Sequence, residues 1–448
     1  MHYEDYFLER VQTYPRASYA CMAKIEDYIR HSTAKGTDEV HRVHPLLIPK
    51  IYSARAMRDF EAITKTAWTI FVKTILAYKK DVKVRQLFGF DSELEELICV
   101  DAGYTCLLPI ARFDIFYHED SGDFTFCEVN TDGTSAMNEN RELENSLAYN
   151  SIYQDYCREF PGRQPRGFEL FDSWIEPFLT IYREYAIRFD RPERPRITIV
   201  DFLEDAYMED FVEFQKRFED RGYSCRICEI RALRFAGGVL YDGDGEQIDA
   251  VYRRATTGQI MQRRDEVQDF LAAYRAQAFC MIGSFATQVI HNKMLFYALR
   301  QPALMRYFSD SEIEFIGKHI PYTDVLTPER ILQDDLMVTK DRWILKPIDS
   351  FGAQGIHLGS EESEAEWRRS LITCAGGTPY LYQDFHMPAK TPNAEPDDEH
   401  RTMVIGSYHN MTGLYVYAGQ LAGLYTRVCE NKLIAGQFGG KELVSLHV

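Results

Sequence analysis

DRWILKPIDSFGAQGIHLG, Asp341 to Gly359, sets one lysine at the end of a short apolar run and follows it with a glycine-rich loop. Trp343, Ile344 and Leu345 between charged residues read as a short buried strand, and Lys346 ends it. Asp349, Ser350, Gly352 and Gly355 then form a turn-rich segment in which glycines let backbone N–H groups converge on an anion. Ile356 to Leu358 resume an extended run. A strand lysine beside such a loop neutralises phosphate charge, and closure of the loop keeps water from a transferring phosphoryl group. Neither GxxxxGK[ST] nor GxGxxG is present in the stretch. The same residues also suit an ordinary hairpin with an exposed lysine, so companions elsewhere in the chain decide between the two.

The chain has 448 residues, which predicts two or three packed lobes at about 100–200 residues each. With 45% hydrophobic and 27% charged residues and no long apolar run, it reads as a soluble protein without a membrane span. MHYEDYFLERVQTYPR lacks the apolar centre of a signal peptide, so a cytoplasmic location is expected. A net charge of −17 argues against a broad nucleic-acid surface but not against a nucleotide, which needs only a local cluster of cations. The ten cysteines are scattered. Cys225 and Cys228 form a lone CxxC inside SCRICEI, a strand-like segment, so packing is expected of them rather than zinc.

Residues 1 to about 95 read as helical, with apolar positions three and four apart along Ala56 to Val82. From Leu107 the pattern becomes a hairpin turning at Asp120 to Asp123, within RFDIFYHEDSGDFTFCEVNTDGTSA, Arg112 to Ala136. Arg112 and Asp114 share one face of the first strand, and Glu128 and Asn130 share one face of the second. If the register matches, three oxygen ligands suited to magnesium meet a guanidinium. A polar outer face with cross-strand pairing is the competing reading. Glu139 to Leu147 is expected to open a helix.

RPERP, Arg191 to Pro195, marks a linker, after which ITIVDF, a helix over Glu204 to Arg221, SCRICEI and IDAVYRR follow the grammar of an α/β unit. Arg253 and Arg254 end the last of these strands, where an anion or surface ion pairs would suit them. Lys293 starts an apolar-periodic helix. PYLYQDFHMP reads as a strand ending at Gln383 and Asp384, placed to meet an adenine edge and a ribose. Thr402 to Gly406, Tyr415 to Leu424 and Tyr425 to Val428 read as short strands between glycine turns, with Arg427 as a candidate phosphate contact.

Taken together, RFD with EVNTDGTSA, WILKPIDSFGAQGIHL, and YLYQDFHMP with the later YTR resemble the synthetase domain of glutathionylspermidine synthetases. The resemblance runs from about Leu107 to near the C-terminus and implies an α/β (α+β) ATP-grasp fold in circularly permuted order. Residues 1–190 would then hold the helical region and the metal hairpin, 191–290 an additional α/β lobe, and 291–448 the nucleotide-binding lobes, with no room for an amidase domain. The resemblance further implies Asp114, Glu128 and Asn130 on two magnesium ions and Arg112 beside the transferring phosphoryl group. It implies Lys293 and Lys346 on the ATP phosphates, Ser350, Gly352 and Gly355 in the lid, and Gln383 and Asp384 at the nucleoside. Arg427 is implied near the phosphates or intermediate, and Ser135 near the acyl substrate.

The activity so implied is ATP-dependent joining of a small-molecule or peptide carboxylate to an amine through an acyl phosphate, with no nucleic-acid or membrane partner. A nucleotide sensor without turnover and a small-molecule kinase are the alternatives.

Overall fold

The computed structural model describes residues 3–33, 43–333, 335–348, 354–377 and 379–448. Ser350 and Gly352 lie outside them, as does most of the expected lid.

Among the described residues one six-stranded antiparallel sheet carries the polar hairpin. Its strands run in the order Lys441–Leu443, Gln420–Cys429, Thr402–Tyr417, Ile110–His118 and Asp123–Asn130, with Lys390–Asp397 paired to Thr402–Tyr417. The hairpin and the C-terminal strands, some 270 residues apart in sequence, are therefore neighbours in one sheet. The long helix Ala54–Lys80 starts at Ser53, whose hydroxyl caps the Ala56 N–H. Phe71 on this helix packs edge-on against Phe113 of the sheet, ring centroids 5.2 Å apart. That contact makes the helical side of the sheet its apolar face.

The hairpin register pairs Arg112 with Asn130 and Asp114 with Glu128, then shifts so that Ile115 pairs with Phe126. Cys127 is the extra residue, a β-bulge. Strict alternation would set Phe124, Phe126, Glu128 and Asn130 on one face. The bulge reverses the parity: Phe124, Phe126 and Val129 join the core, while Glu128 and Asn130 turn to the opposite side with Arg112.

A second, four-stranded antiparallel sheet runs Thr323–Val325, Tyr380–Asp384, Trp343–Pro347 and His357–Leu358. Trp343, Leu345 and Tyr382 point to a core shared with Trp367 and Leu371. Ile344, Lys346, Leu381 and Gln383, one residue out of phase, face the other way. A third sheet, all parallel, has the order Cys225–Glu229, Ile197–Asp201, Ala250–Arg253 and Cys280–Ile282, as the α/β grammar of this region predicts. Cys225 and Cys228 lie on opposite faces of that sheet and pack into different cores, in keeping with the packing reading.

The tail differs from expectation. Thr402–Tyr417 is one strand of 16 residues, and the turn falls at Ala418 and Gly419, both with positive φ (46° and 84°), the geometry of a tight two-residue hairpin. Glycines read from sequence as turns lie inside strands because other side chains press on them. A Cβ on Gly406, where the first of the expected short strands was to end, would lie 2.8 Å from the Tyr408 hydroxyl. No helix among the described residues is long and apolar enough to cross a membrane.

Candidate functional site

The six-stranded and four-stranded antiparallel sheets face each other across a cavity of about 440 Å³. Arg112, Glu128, Asn130, Ser135, Lys293, Lys346, Gln383, Asp384 and Arg427 all line it. These nine residues come from separate stretches of the chain, and the tertiary fold brings them to one surface. Lys346 reaches from its strand to the opposite sheet, its Nζ 3.4 Å from the Cys127 carbonyl that the bulge exposes. Lys293 ends its side of the cavity at the start of the helix Met294–Ala298.

Asp114 is placed otherwise. It is fully buried beneath the wall, and both of its oxygens accept from Arg112, Nε to Oδ1 at 2.7 Å and Nη2 to Oδ2 at 2.9 Å. Asn130 Nδ2 also donates to Asp114 Oδ2 at 3.0 Å and to Glu128 Oε1 at 3.2 Å. Burial alone would favour a neutral Arg112, but Asp114 holds it charged. Enclosure in the cleft works against ionisation of Glu128 as well. Lys293, Asn130, Arg112 and Lys346 together outweigh it and hold the carboxyl below its ordinary value. The cavity offers two ammonium groups, two guanidinium groups, an open carboxylate and an amide, chemistry that fits a polyphosphate with a hard divalent cation. Among the described residues no group of three or more His, Cys, Asp or Glu is placed to hold a metal, and the expected ligand set contains only two carboxylates beside its amide.

On the four-stranded sheet, Gln383 Nε2 donates to Thr323 Oγ1 at 2.8 Å, which fixes the amide against the neighbouring strand. Asp384 pairs with Arg342, Nη2 to Oδ2 at 3.2 Å, so its charge is already balanced. Gly355 does not itself line the cavity, although Gln354 and Ile356 do. Its φ of +69°, and a Cβ position only 2.8 Å from the Tyr380 hydroxyl, require glycine there.

At the other end, Tyr425 is buried between Arg112 and Arg427, whose Cζ atoms lie 5.2 Å and 5.3 Å from its ring centroid. Arg427 Nη2 donates to Tyr425 Oη at 2.8 Å, and that hydroxyl donates to Glu139 Oε2 at 3.1 Å. Tyr425, with the carboxylates of Glu442 and Glu139, keeps the Arg427 guanidinium charged against burial. Burial pushes the Glu442 carboxyl up to about 7, with Arg427 opposing. The Cys127 thiol is pushed up to about 12 by burial, so it stays protonated at neutral pH and is a poor nucleophile.

The fold is similar to that of a glutathione synthetase-like effector of Globodera pallida in its apo form, with a TM-score of 0.60 over 97% of this chain and 98% of that one, at 11% identity. The two chains share a fold. A D-cycloserine synthetase covers 56% of this chain and 90% of its own length at 11% identity, with a TM-score of 0.27, too low to carry an argument. No protein-family model matches the chain, and no curated protein sequence matches it.

Sequence reasoning left open or omitted several residues that lie behind the cavity lining. Arg253 and Arg254 are not on the surface. Arg253 Nη2 meets Asp132 Oδ1 at 2.8 Å in a fully buried pair, and Arg254 Nη2 lies 3.5 Å from Asp210 Oδ2. Arg253 through Asp132, and Arg254 through a hydrogen bond to the Thr134 carbonyl, pin the loop that carries Ser135 to the parallel-sheet lobe. Gly413 is a second omission. It stands opposite Asp114, and a Cβ there would lie 2.8 Å from both Arg112 Cδ and Asp114 Oδ1. A glycine inside a strand is the signal that marks it. Gly413→Ala is expected to destabilise the protein by about 1–3 kcal/mol in urea unfolding, because the methyl group displaces a buried ion pair. A change below about 0.5 kcal/mol would mean that Arg112 yields freely.

Proposed function

We propose that the chain is an ATP-dependent carboxylate–amine ligase, forming an amide through an acyl phosphate with release of ADP and phosphate. In this reading the fold is a circularly permuted ATP-grasp of the glutathionylspermidine synthetase kind. The observation that carries the proposal is the single cavity in which Lys293 and Lys346 face Arg112, Glu128 and Arg427 across two sheets. A carboxylate and a phosphoryl donor repel each other, and joining them needs this density of cations around one reacting group.

Bound ATP with magnesium would supply the γ-phosphoryl group and draw it toward the substrate carboxylate. Lys293 and Lys346 bind phosphate oxygens from the lysine-strand side. Glu128 and Asn130 offer oxygens to the magnesium ions. Asp114, expected as a third ligand, acts first through Arg112, fixing the guanidinium by two parallel hydrogen bonds toward the phosphoryl group. Gln383 and the strand end at Asp384 take the nucleoside. Arg427 holds the acyl end, with Ser135 beside it. The loop around Gly355 keeps water from the reaction. No protein nucleophile is required, in agreement with the protonated Cys127.

Incubation with ATP, magnesium and a mixed library of carboxylates and amines, followed by mass spectrometry, tests the proposal. ADP formation that requires both reactants, with a new amide among the products, is the expected result. ADP formed without consumption of amine makes the protein a kinase, and nucleotide binding without turnover makes it a sensor. Lys346→Ala is expected to weaken ATP binding about 10–100-fold in a nucleotide titration, since it removes a direct phosphate contact. Unchanged affinity would take the lysine strand out of the nucleotide site.

A further inference from the structure

Three carboxylates among the described residues line the cavity: Glu128, Glu139 and Asp384. Two are already engaged. Glu128 stands among Lys293, Asn130 and Lys346 at the phosphate end, and Asp384 is neutralised by Arg342 at the nucleoside end. Glu139 remains. It projects from the first turn of the helix Met137–Asn145 to the end of the cavity that Arg112 and Arg427 occupy. Tyr425 Oη donates to its Oε2 and so fixes its direction without neutralising its charge.

We propose that Glu139 receives the ammonium group of the incoming amine and acts as its general base. The assignment rests on the ligase reading above. An amine is protonated at neutral pH and has no lone pair with which to attack. Glu139 takes one proton from the ammonium, and the freed nitrogen attacks the acyl carbon of the acyl phosphate. The C–N bond forms, the C–O bond to phosphate breaks, and the phosphate leaves with the bonding pair. A second N–H proton goes to the departing phosphate, giving hydrogen phosphate, and Glu139 returns its own proton to solvent. One ammonium and one acyl phosphate thus become one amide, one hydrogen phosphate and one proton.

The placement suits the role. Arg112 and Arg427 lie on the two sides of Tyr425, and an acyl phosphate held by them sits next to the carboxylate that the tyrosine orients. Burial moves the Glu139 carboxyl above its ordinary value, opposed by Arg427, which brings it closer to the strength a base needs at neutral pH. A negative group beside two guanidinium groups also selects the reactant. It attracts a cationic amine to the end of the cavity that would otherwise receive only anions.

Hydroxylamine separates this step from the one before it, because it is unprotonated at neutral pH and traps acyl phosphates as hydroxamates without a base. The native protein and Glu139→Gln are incubated with ATP, magnesium and a mixture of amino acids and short peptides, with either hydroxylamine or glycine and putrescine as nucleophile. In Glu139→Gln the ratio of amide to hydroxamate is expected to fall about 10²-fold. Glu139→Asp keeps a carboxylate and is expected to hold that ratio within about tenfold of the native protein. No hydroxamate from the native protein removes the ligase reading and the base role together. Hydroxamate from the native protein with no amide, an unchanged ratio, or a loss of both products in proportion overturns the base role alone.

Discussion

Glu128→Gln is expected to lower magnesium-dependent ADP release about 10³-fold while leaving the fold intact. The side chain stands on the cavity side of its strand and outside the core, so the substitution removes a charge and little packing. What it removes is the open carboxylate beside Lys293 and Lys346. Asp114 does not replace it, because both Asp114 oxygens are held by Arg112 beneath the wall. The amide leaves Lys293 and Lys346 with less negative charge beside them, so nucleotide binding should persist while turnover fails. An ADP-release assay over a range of magnesium concentrations, paired with a nucleotide titration, separates the two effects. Near-normal turnover would sink the metal assignment.

The largest expected effect on stability is at Asp114→Ala. Arg112 is 9% exposed and Asp114 is 0% exposed, and the substitution leaves a buried guanidinium without its partner. Breaking a buried pair from one side costs about 3–5 kcal/mol, since the remaining charge has lost its water and gained nothing in return. Asn130 loses one of its two carboxylate acceptors in the same step. Urea unfolding followed by tryptophan fluorescence measures the loss. Replacing both residues, as Arg112→Met with Asp114→Leu, should recover much of it, because no unpaired charge then remains. If Asp114→Ala lost less than about 1 kcal/mol, Arg112 would be finding water, and the pair would not be the anchor of the site.

Much of this was legible in the chain. The alternation of Arg112 with Asp114 and of Glu128 with Asn130 announced a two-faced hairpin, and WILKP announced a short buried strand ending in a lysine. Both signals are local, because a strand sorts its side chains every two residues. Glu139 was read only as the start of a helix, since one acidic residue in a first turn carries no sign of the cavity it faces. Arg253 and Arg254 suited an anion or surface ion pairs alike, because the acids they meet in the interior, Asp132 and Asp210, come from other parts of the chain. The turns expected in the tail were misplaced at glycines that serve close packing instead. In a sequence, a glycine under a neighbouring side chain and a glycine in a turn look the same.

The sequence by itself determined which residues carry charge, where the polar hairpin and the lysine strand lie, and which polar side chains alternate along them. The tertiary structure alone decided that these faces meet. The bulge at Cys127 cannot be read from alternation, and without it the register that buries Phe124 and Phe126 would bury Glu128 and Asn130 with them. Phe71 of the helix Ala54–Lys80 holds Phe126 inward and His319 stacks on Phe124, and the extra residue lets the strand turn its last two polar side chains to the other side. The same extra residue exposes the carbonyl that Lys346 reaches from across the cavity.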